Sequence, residues 1–170
     1  LGPMMRTHRV EFTIDAPRVK VWRLLHPPPP ADGPKPRIIR YDAGRIEILQ
    51  EGDEDGQGLV RTCTFRVPKL LLSGGLGRSF ECVLESRGPE YSRYVAYGKP
   101  LWSKAEGEQI YEDTPDGGTR LTFVETYDAF NPIFRHTIEG YVHRRISRDN
   151  NERFAATLRQ LGPVTVRSKE

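Results

Sequence analysis

Short stretches of alternating apolar and polar residues, set off by turn-forming residues, make up most of this chain, and a long helical pattern follows near its end. In residues 8–14, Val10, Phe12 and Ile14 alternate with polar neighbours, which predicts a half-buried strand. Asp15-Ala16-Pro17 then offers an N-cap and a first-turn proline. Val19, Val21, Trp22 and Leu25 follow at helical spacing, so a short amphipathic helix is expected to about His26. The four prolines Pro27 to Pro30 cannot continue it, and 27–36 reads as an extended, turn-rich connector. From Arg45 onward strands are predicted over 45–50, 59–67, 80–86, 92–97, 106–112 and 119–127. An acidic turn at 51–58 and a hairpin turn at 115–118 separate members of the series. Together with the first strand that makes seven, joined by connections too short for helical crossovers, so the sheet is expected to be antiparallel. Asn131-Pro132 opens a helix predicted from about Ile133 to Leu161, where Gly162-Pro163 stops it. At 1.5 Å per residue it would be roughly 40 Å long.

Three stretches carry a family resemblance. "FTIDAPRVKVWRLL" (residues 12–25) looks like an opening strand followed by an "aP..vW..l" helix. "GQGLVRTCTF" (56–65) is similar to a "G.G..r.c.f" turn and strand. "GGTRLTFVETY" (117–127) resembles a "ggTrlt" final strand, and a C-terminal helix ending "ERFAATLRQL" follows it. Element order and motifs from about His8 to Leu161 are similar to the SRPBCC superfamily, which includes START domains, Bet v 1-like proteins and polyketide cyclase/dehydrase-like proteins. The resemblance implies an α+β helix-grip fold, a seven-stranded curved antiparallel sheet wrapped around a long C-terminal helix with a short helix after strand 1. The proline-rich 27–36 segment departs from the family pattern, in which a helical turn or two is usual. The expected domain spans 6–163, with 164–170 a tail and Leu-Gly-Pro-Met-Met at the start a cleavage scar before a natural Met4 or Met5.

Composition narrows the setting. At 170 residues, with 36% hydrophobic and 29% charged residues, one globular domain is expected. The longest apolar candidate for a membrane span, Leu70-Leu71-Leu72, is far short of the roughly 20 residues required, and no secretory segment is recognised, so a cytoplasmic location is expected. The net charge of +3 is mild. The densest basic group, Arg144, Arg145, Arg148 and Arg153, reads as a solvated helix face, and nucleic acid is not an expected partner. Cys63 and Cys82 lack metal-site spacing. A hairpin pairing Val67 with Ser79 would put Cys63 opposite Val83 and leave Cys82 on the other face, so two free thiols are expected. No metal or cofactor is expected.

Candidate chemistry comes from four places. If Leu121 and Phe123 face inward, alternation brings Glu125 and Tyr127 inward too. A carboxylate there would be desolvated and fit for acid/base work; at the rim it would be wet or paired with an arginine. On the long helix, Phe134, Ile138, Tyr141, Val142 and Ile146 form one stripe, while Phe154, Leu158 and Leu161 form another nearly opposite it. The stripes swap near Asn150, by a kink or by a change of buried side. The second stripe extended backwards passes through His143 and His136, which face either a pocket or solvent. Tyr91, Tyr94, Tyr97, Trp102 and Tyr111 cluster in sequence; Tyr97 and Trp102 are the expected pocket or rim residues, with Trp102 in a 98–105 connection. Residues 73–77 lack a phosphate-loop ending and suit a mobile hairpin loop over the pocket. The expected site thus has Glu125 and His143 as catalytic groups, and Phe65, Tyr97, Trp102, Tyr111, Phe123, Tyr127, His136 and Tyr141 as ligand contacts.

Three functions compete. The first is binding or transport of an apolar or amphipathic small molecule, such as a lipid or polyketide, in an internal cavity. The second is a cyclase- or aromatase-like enzyme that uses pocket acid/base groups. The third is a regulatory protein-interaction module carried by the proline segment and the arginines. A homodimer is left open.

Overall fold

The computed structural model describes residues 6–41, 44–66, 69, 74–99, 102–129 and 139–169. Alternation of Val10, Phe12 and Ile14 with polar neighbours builds strand β1 (Arg6–Ile14) as expected, with all three apolar side chains buried. Helix α1 (Arg18–Leu25) follows, and Val21 and Trp22 are its buried residues. Pro17 occupies the N-cap with extended backbone and no side-chain cap, so the expected role of Asp15 as the cap is corrected. The Asp15 backbone N–H instead donates to the Pro163 carbonyl (3.0 Å), while Thr119 Oγ1 donates to the Ala16 carbonyl (2.7 Å). These two bonds moor the entrance of α1 to the residue before β9 and to the start of β8.

Among the described residues, eight further strands complete one sheet: β2 (Arg37–Tyr41), β3 (Gly44–Gln50), β4 (Val60–Arg66), β5 (Leu76–Arg87), β6 (Tyr91–Lys99), β7 (Trp102–Asp113), β8 (Thr119–Ala129) and β9 (Val164–Lys169). Their order is β2-β3-β4-β5-β6-β7-β8-β1-β9, and the pairs are antiparallel. All seven predicted strands are present, and the sheet of nine corrects the expected seven. The two additions are its edges. Ile38 and Ile39 after the proline segment make β2, and the residues expected as a tail make β9 against β1. The 98–105 connection is also corrected, because β6 runs to Lys99 and β7 begins at Trp102.

The hairpin of β4 and β5 has a register four residues away from the expected one, with Cys63 opposite Ser79 and Val60 opposite Cys82. The shift is an even number, so it preserves the faces: the two cysteines still point to opposite sides, and both are free thiols. The acidic turn is ordered by Asp53, whose Oδ1 accepts the N–H groups of Asp55 (3.0 Å) and Gln57 (2.9 Å).

Helix α2 (Glu139–Leu158) is 20 residues long and stops one turn before the expected Leu161. Residues 133–138 of the predicted helix, with His136, lie outside the described residues. The C-terminal turns of α2 carry Ala155 and Leu158 into a core shared with Val10, Phe12, Ile14, Val21, Trp22, Tyr111 and Leu121. Both helices therefore pack on one face of the sheet, the inner face. Phe12, Phe123 and Phe154 meet there with ring centroids 5.0–6.3 Å apart, in tilted and edge-to-face contacts that favour the ring quadrupoles.

Candidate functional site

Strand alternation, followed outward from this core, decides which residues share the inner face. Leu121, Phe123, Glu125 and Tyr127 point inward from β8. Their partners on β7 are Tyr111, Gln109, Gly107 and Ala105. Beyond them stand Tyr94 and Ala96 on β6, Glu81 and Val83 on β5, and Arg61 and Cys63 on β4. One half of the face is therefore aromatic and aliphatic, while the middle holds Arg61, Cys63, Glu81, Tyr94 and Glu125.

These five groups interact. The Arg61 guanidinium Nε donates to Glu81 Oε2 at 2.8 Å, and the Cys63 thiol donates to the same oxygen at 2.9 Å. Arg61 Cζ lies 5.8 Å from the Tyr94 ring centroid, within cation–π range. The Tyr94 ring crosses over Gly107, where any Cβ would collide with it, and the direct partner of Gly107 on β8 is Glu125. Glycine is required at that point by the ring above it.

Burial and charge shift the ionisations. Desolvation, reinforced by the Glu81 charge, pushes the Glu125 carboxyl up to about 7. Desolvation raises the Tyr94 phenol well above its ordinary value, with the Glu125 and Glu81 charges adding to it. Burial raises the Cys63 thiol beyond the range in which a free thiolate forms, so this cysteine is a hydrogen-bond donor and not a nucleophile. Even so, the cluster is not sealed: the Arg61 and Glu81 side chains keep 25% and 13% of their surface accessible, and Glu125 is half-buried. These groups have much protein around them and yet keep contact with water, in the middle of the inner face.

His26, in the last turn leading out of α1, borders this region. Its ring stacks on Trp22 with centroids 3.8 Å apart, and Nδ1 lies 3.1 Å from the Trp22 carbonyl. Burial, with a smaller contribution from the Arg61 charge, lowers its pKa to about 4, so the ring is neutral at neutral pH. Among the described residues no group of three or more His, Cys, Asp or Glu could hold a metal ion.

The structure separates the expected site residues. Glu125, Tyr127, Phe123 and Phe65 stand on the inner face. Tyr127 is buried with Ala96, Ala105 and Tyr94, whereas Phe123 belongs to the aromatic packing of the core. Tyr111 is only 2% exposed and packs on Trp22, with its hydroxyl donating to Gln109 Oε1 at 2.6 Å; it is a core residue. Tyr97 is corrected: it pairs with Phe80 on the outer face and is 53% exposed. The backbone of Trp102 pairs with Ala129, and Tyr141 and His143 lie on α2, but their side chains, like all of His136, lie outside the described residues. Sequence reasoning missed Arg61, Glu81 and His26 and passed over Tyr94. The signal for Arg61 was present, because it shares parity with Cys63 and Phe65.

No family model and no curated protein sequence matches the chain. Solved structures do. Ara h 8.0201 superposes with a TM-score of 0.62 at 18% identity, over 92% of this chain and 97% of that one. The di-domain ARO/CYC BexL from the BE-7585A biosynthetic pathway gives 0.63 at 12% identity, over 93% of this chain and 50% of that one. A START superfamily protein from Mycobacterium smegmatis gives 0.59 at 14% identity, over 91% of this chain and 93% of that one. At such identities the likeness is one of fold.

Proposed function

Taking as premise that this chain has the START/Bet v 1-like helix-grip fold of the SRPBCC superfamily, we propose that it binds an amphipathic small molecule in a recess on its inner face. The observation that carries the proposal is the partly accessible cluster Arg61–Glu81–Cys63–Tyr94–Glu125 in the middle of an otherwise packed face. A fold gains little from such groups. Removing two charges from water costs as much as their pairing returns, and apolar residues of similar size would serve the core as well or better. Polar anchors among apolar walls are the usual make-up of a small-molecule site. In this reading Phe65 and Tyr127 contact the apolar body of the ligand, and Glu81, Tyr94 and Glu125 meet its polar group. Tyr141, His136 and His143 remain proposed contacts from the helix side, and Trp102 from the start of β7.

A second reading, a cyclase-like enzyme, is favoured by one observation. A carboxyl group held near neutrality, as Glu125 is, suits transfer of a proton in either direction.

Native mass spectrometry of protein taken directly from cells tests the binding proposal. The expected result is a co-purifying small molecule on the wild-type chain that is absent from Gly107→Ala, in which the new Cβ displaces the Tyr94 ring. Two ligand-free proteins, together with failure of the wild type to take up the solvatochromic dye Nile red, would sink it.

A further inference from the structure

Pairing across strands gathers, on the outer face of the sheet, basic residues that are scattered along the chain. Arg40 on β2 stands opposite Arg45 on β3, Arg45 opposite Thr64 on β4, Thr64 opposite Arg78 on β5, and Arg78 opposite Lys99 on β6. At about 4.8 Å between neighbouring strands this row is roughly 19 Å long. Arg66 lies on the same face of β4, two residues beyond Thr64, and Arg40, Arg45, Arg66 and Arg78 are all exposed. The adjoining row, farther from the β4–β5 hairpin end, holds Glu47, Thr62, Phe80 and Tyr97. Phe80 and Tyr97 are direct partners on neighbouring strands, 45% and 53% exposed. Glu47 is the only acid in the two rows from β2 to β6, and Arg45 holds it at 3.1 Å. Asp42, between β2 and β3, lies outside the described residues. On β7 the outer positions turn acidic with Glu106, Glu108 and Glu112, so the basic surface ends there.

Folding does not explain this arrangement. Arg40 with Arg45 and Arg78 with Lys99 are like-charged pairs set directly opposite each other, which destabilises a sheet. A polyanion lying along the row would turn that repulsion into attraction. We propose that this face binds single-stranded nucleic acid without sequence preference, with phosphates along the Arg40–Arg45–Arg78 row and bases stacked on Phe80 and Tyr97 beside it. Every base has a π-face that a single strand leaves open and a duplex does not. An anionic bilayer would accept the arginines, but it gains most from apolar side chains that project beyond the charges. Phe80 and Tyr97 instead lie within the face, one row behind the arginines. The surface is on the other side of the sheet from the proposed small-molecule site and does not depend on it.

Fluorescence anisotropy with fluorescein-labelled twelve-nucleotide oligouridylate and oligodeoxythymidylate tests the proposal. It is read on the wild type and on two double variants, Phe80→Ser/Tyr97→Ser and Arg40→Gln/Arg78→Gln, with thermal unfolding to establish that each is folded. At about 50 mM salt the wild type should bind both strands. Loss of the aromatic pair should weaken binding at least tenfold and leave the slope of log affinity against log salt unchanged. Loss of the two arginines should make that slope shallower by about 1.4, or about 0.7 for each phosphate contact. A second measurement needs no variant: unlabelled single strand should displace the probe at least tenfold better than a duplex of the same length or inorganic polyphosphate. Absence of binding by the wild type would overturn the proposal, as would binding that survives loss of the aromatic pair or yields equally to polyphosphate. Cosedimentation with phosphatidylserine vesicles, without binding of either oligonucleotide, would assign the face to a lipid surface instead.

Discussion

The inner face has two halves that are built by the same strands and the same alternation, and they differ in what they do with water. Around β1, the far ends of β7 and β8, α1 and the last turns of α2, Phe12, Ile14, Leu121, Ala155 and Leu158 exclude it completely. Across β4, β5, β6 and the middle of β8, Arg61, Glu81, Tyr94 and Glu125 share their space with it. The first half stabilises the fold by burying apolar area, roughly 25 cal/mol for each Å² removed from water. The second half gains almost nothing of that kind and holds charges whose desolvation their pairing only offsets. Stability and proposed function are thus divided along the strands, and substitutions in the two halves should have different signatures.

The largest effect is expected in the dry half. Leu158→Ala leaves a cavity among Phe12, Leu121 and Ala155, and urea unfolding should show a loss of about 2–5 kcal/mol. Nile red binding by the remaining folded protein should be unchanged; a loss of binding would mean that the two halves are not separate. Next comes the ion pair. Arg61→Met leaves Glu81 partly buried with only the Cys63 thiol, at a cost of about 2 kcal/mol. Most of that should return in the Arg61→Met/Glu81→Leu double variant. A double-mutant cycle reads the coupling, and additive losses would show that Arg61 and Glu81 act independently.

A smaller effect with a definite sign comes from Glu125. Its pKa rises from 4.5 unfolded to about 7 folded, so the native state holds its proton more tightly over that window. Its contribution to stability is therefore fully present below pH 4.5 and is lost as pH rises through 7. Relative to Glu125→Gln, the wild type should lose on the order of 1–2 kcal/mol between pH 5 and pH 8, allowing for its partial exposure. Parallel pH profiles would place the carboxyl in ordinary water. The smallest effect is expected on the outer face, where Tyr97→Ser should change stability by less than about 0.5 kcal/mol and leave dye binding alone.

The dry half was also the legible half. Val10, Phe12, Ile14, Val21, Leu121 and Leu158 announce themselves by period, and they carried the strand and helix assignments with them. The polar half was only partly legible by the same rule. Leu121 and Phe123 fix the parity of Glu125 within a single strand, and Cys63 and Phe65 do the same for Arg61, which was passed over as an ordinary surface charge. Glu81 was hidden, because Phe80, Cys82 and Leu84 put apolar residues on the opposite parity. Tyr97 went astray because its aromaticity suggested a pocket while its parity with Phe80 put it outside. The edge strands β2 and β9 were missed for another reason. They are short and half polar, and they become strands by pairing with β3 and β1.

Because the account turns on whether the polar half is set apart from ordinary solvent, its most direct test is a titration of the Glu125 side chain by carbon-13 NMR. The expected midpoint is near 7. A midpoint near 4.5 would contradict it, since Glu125 would then be an ordinary solvated carboxylate.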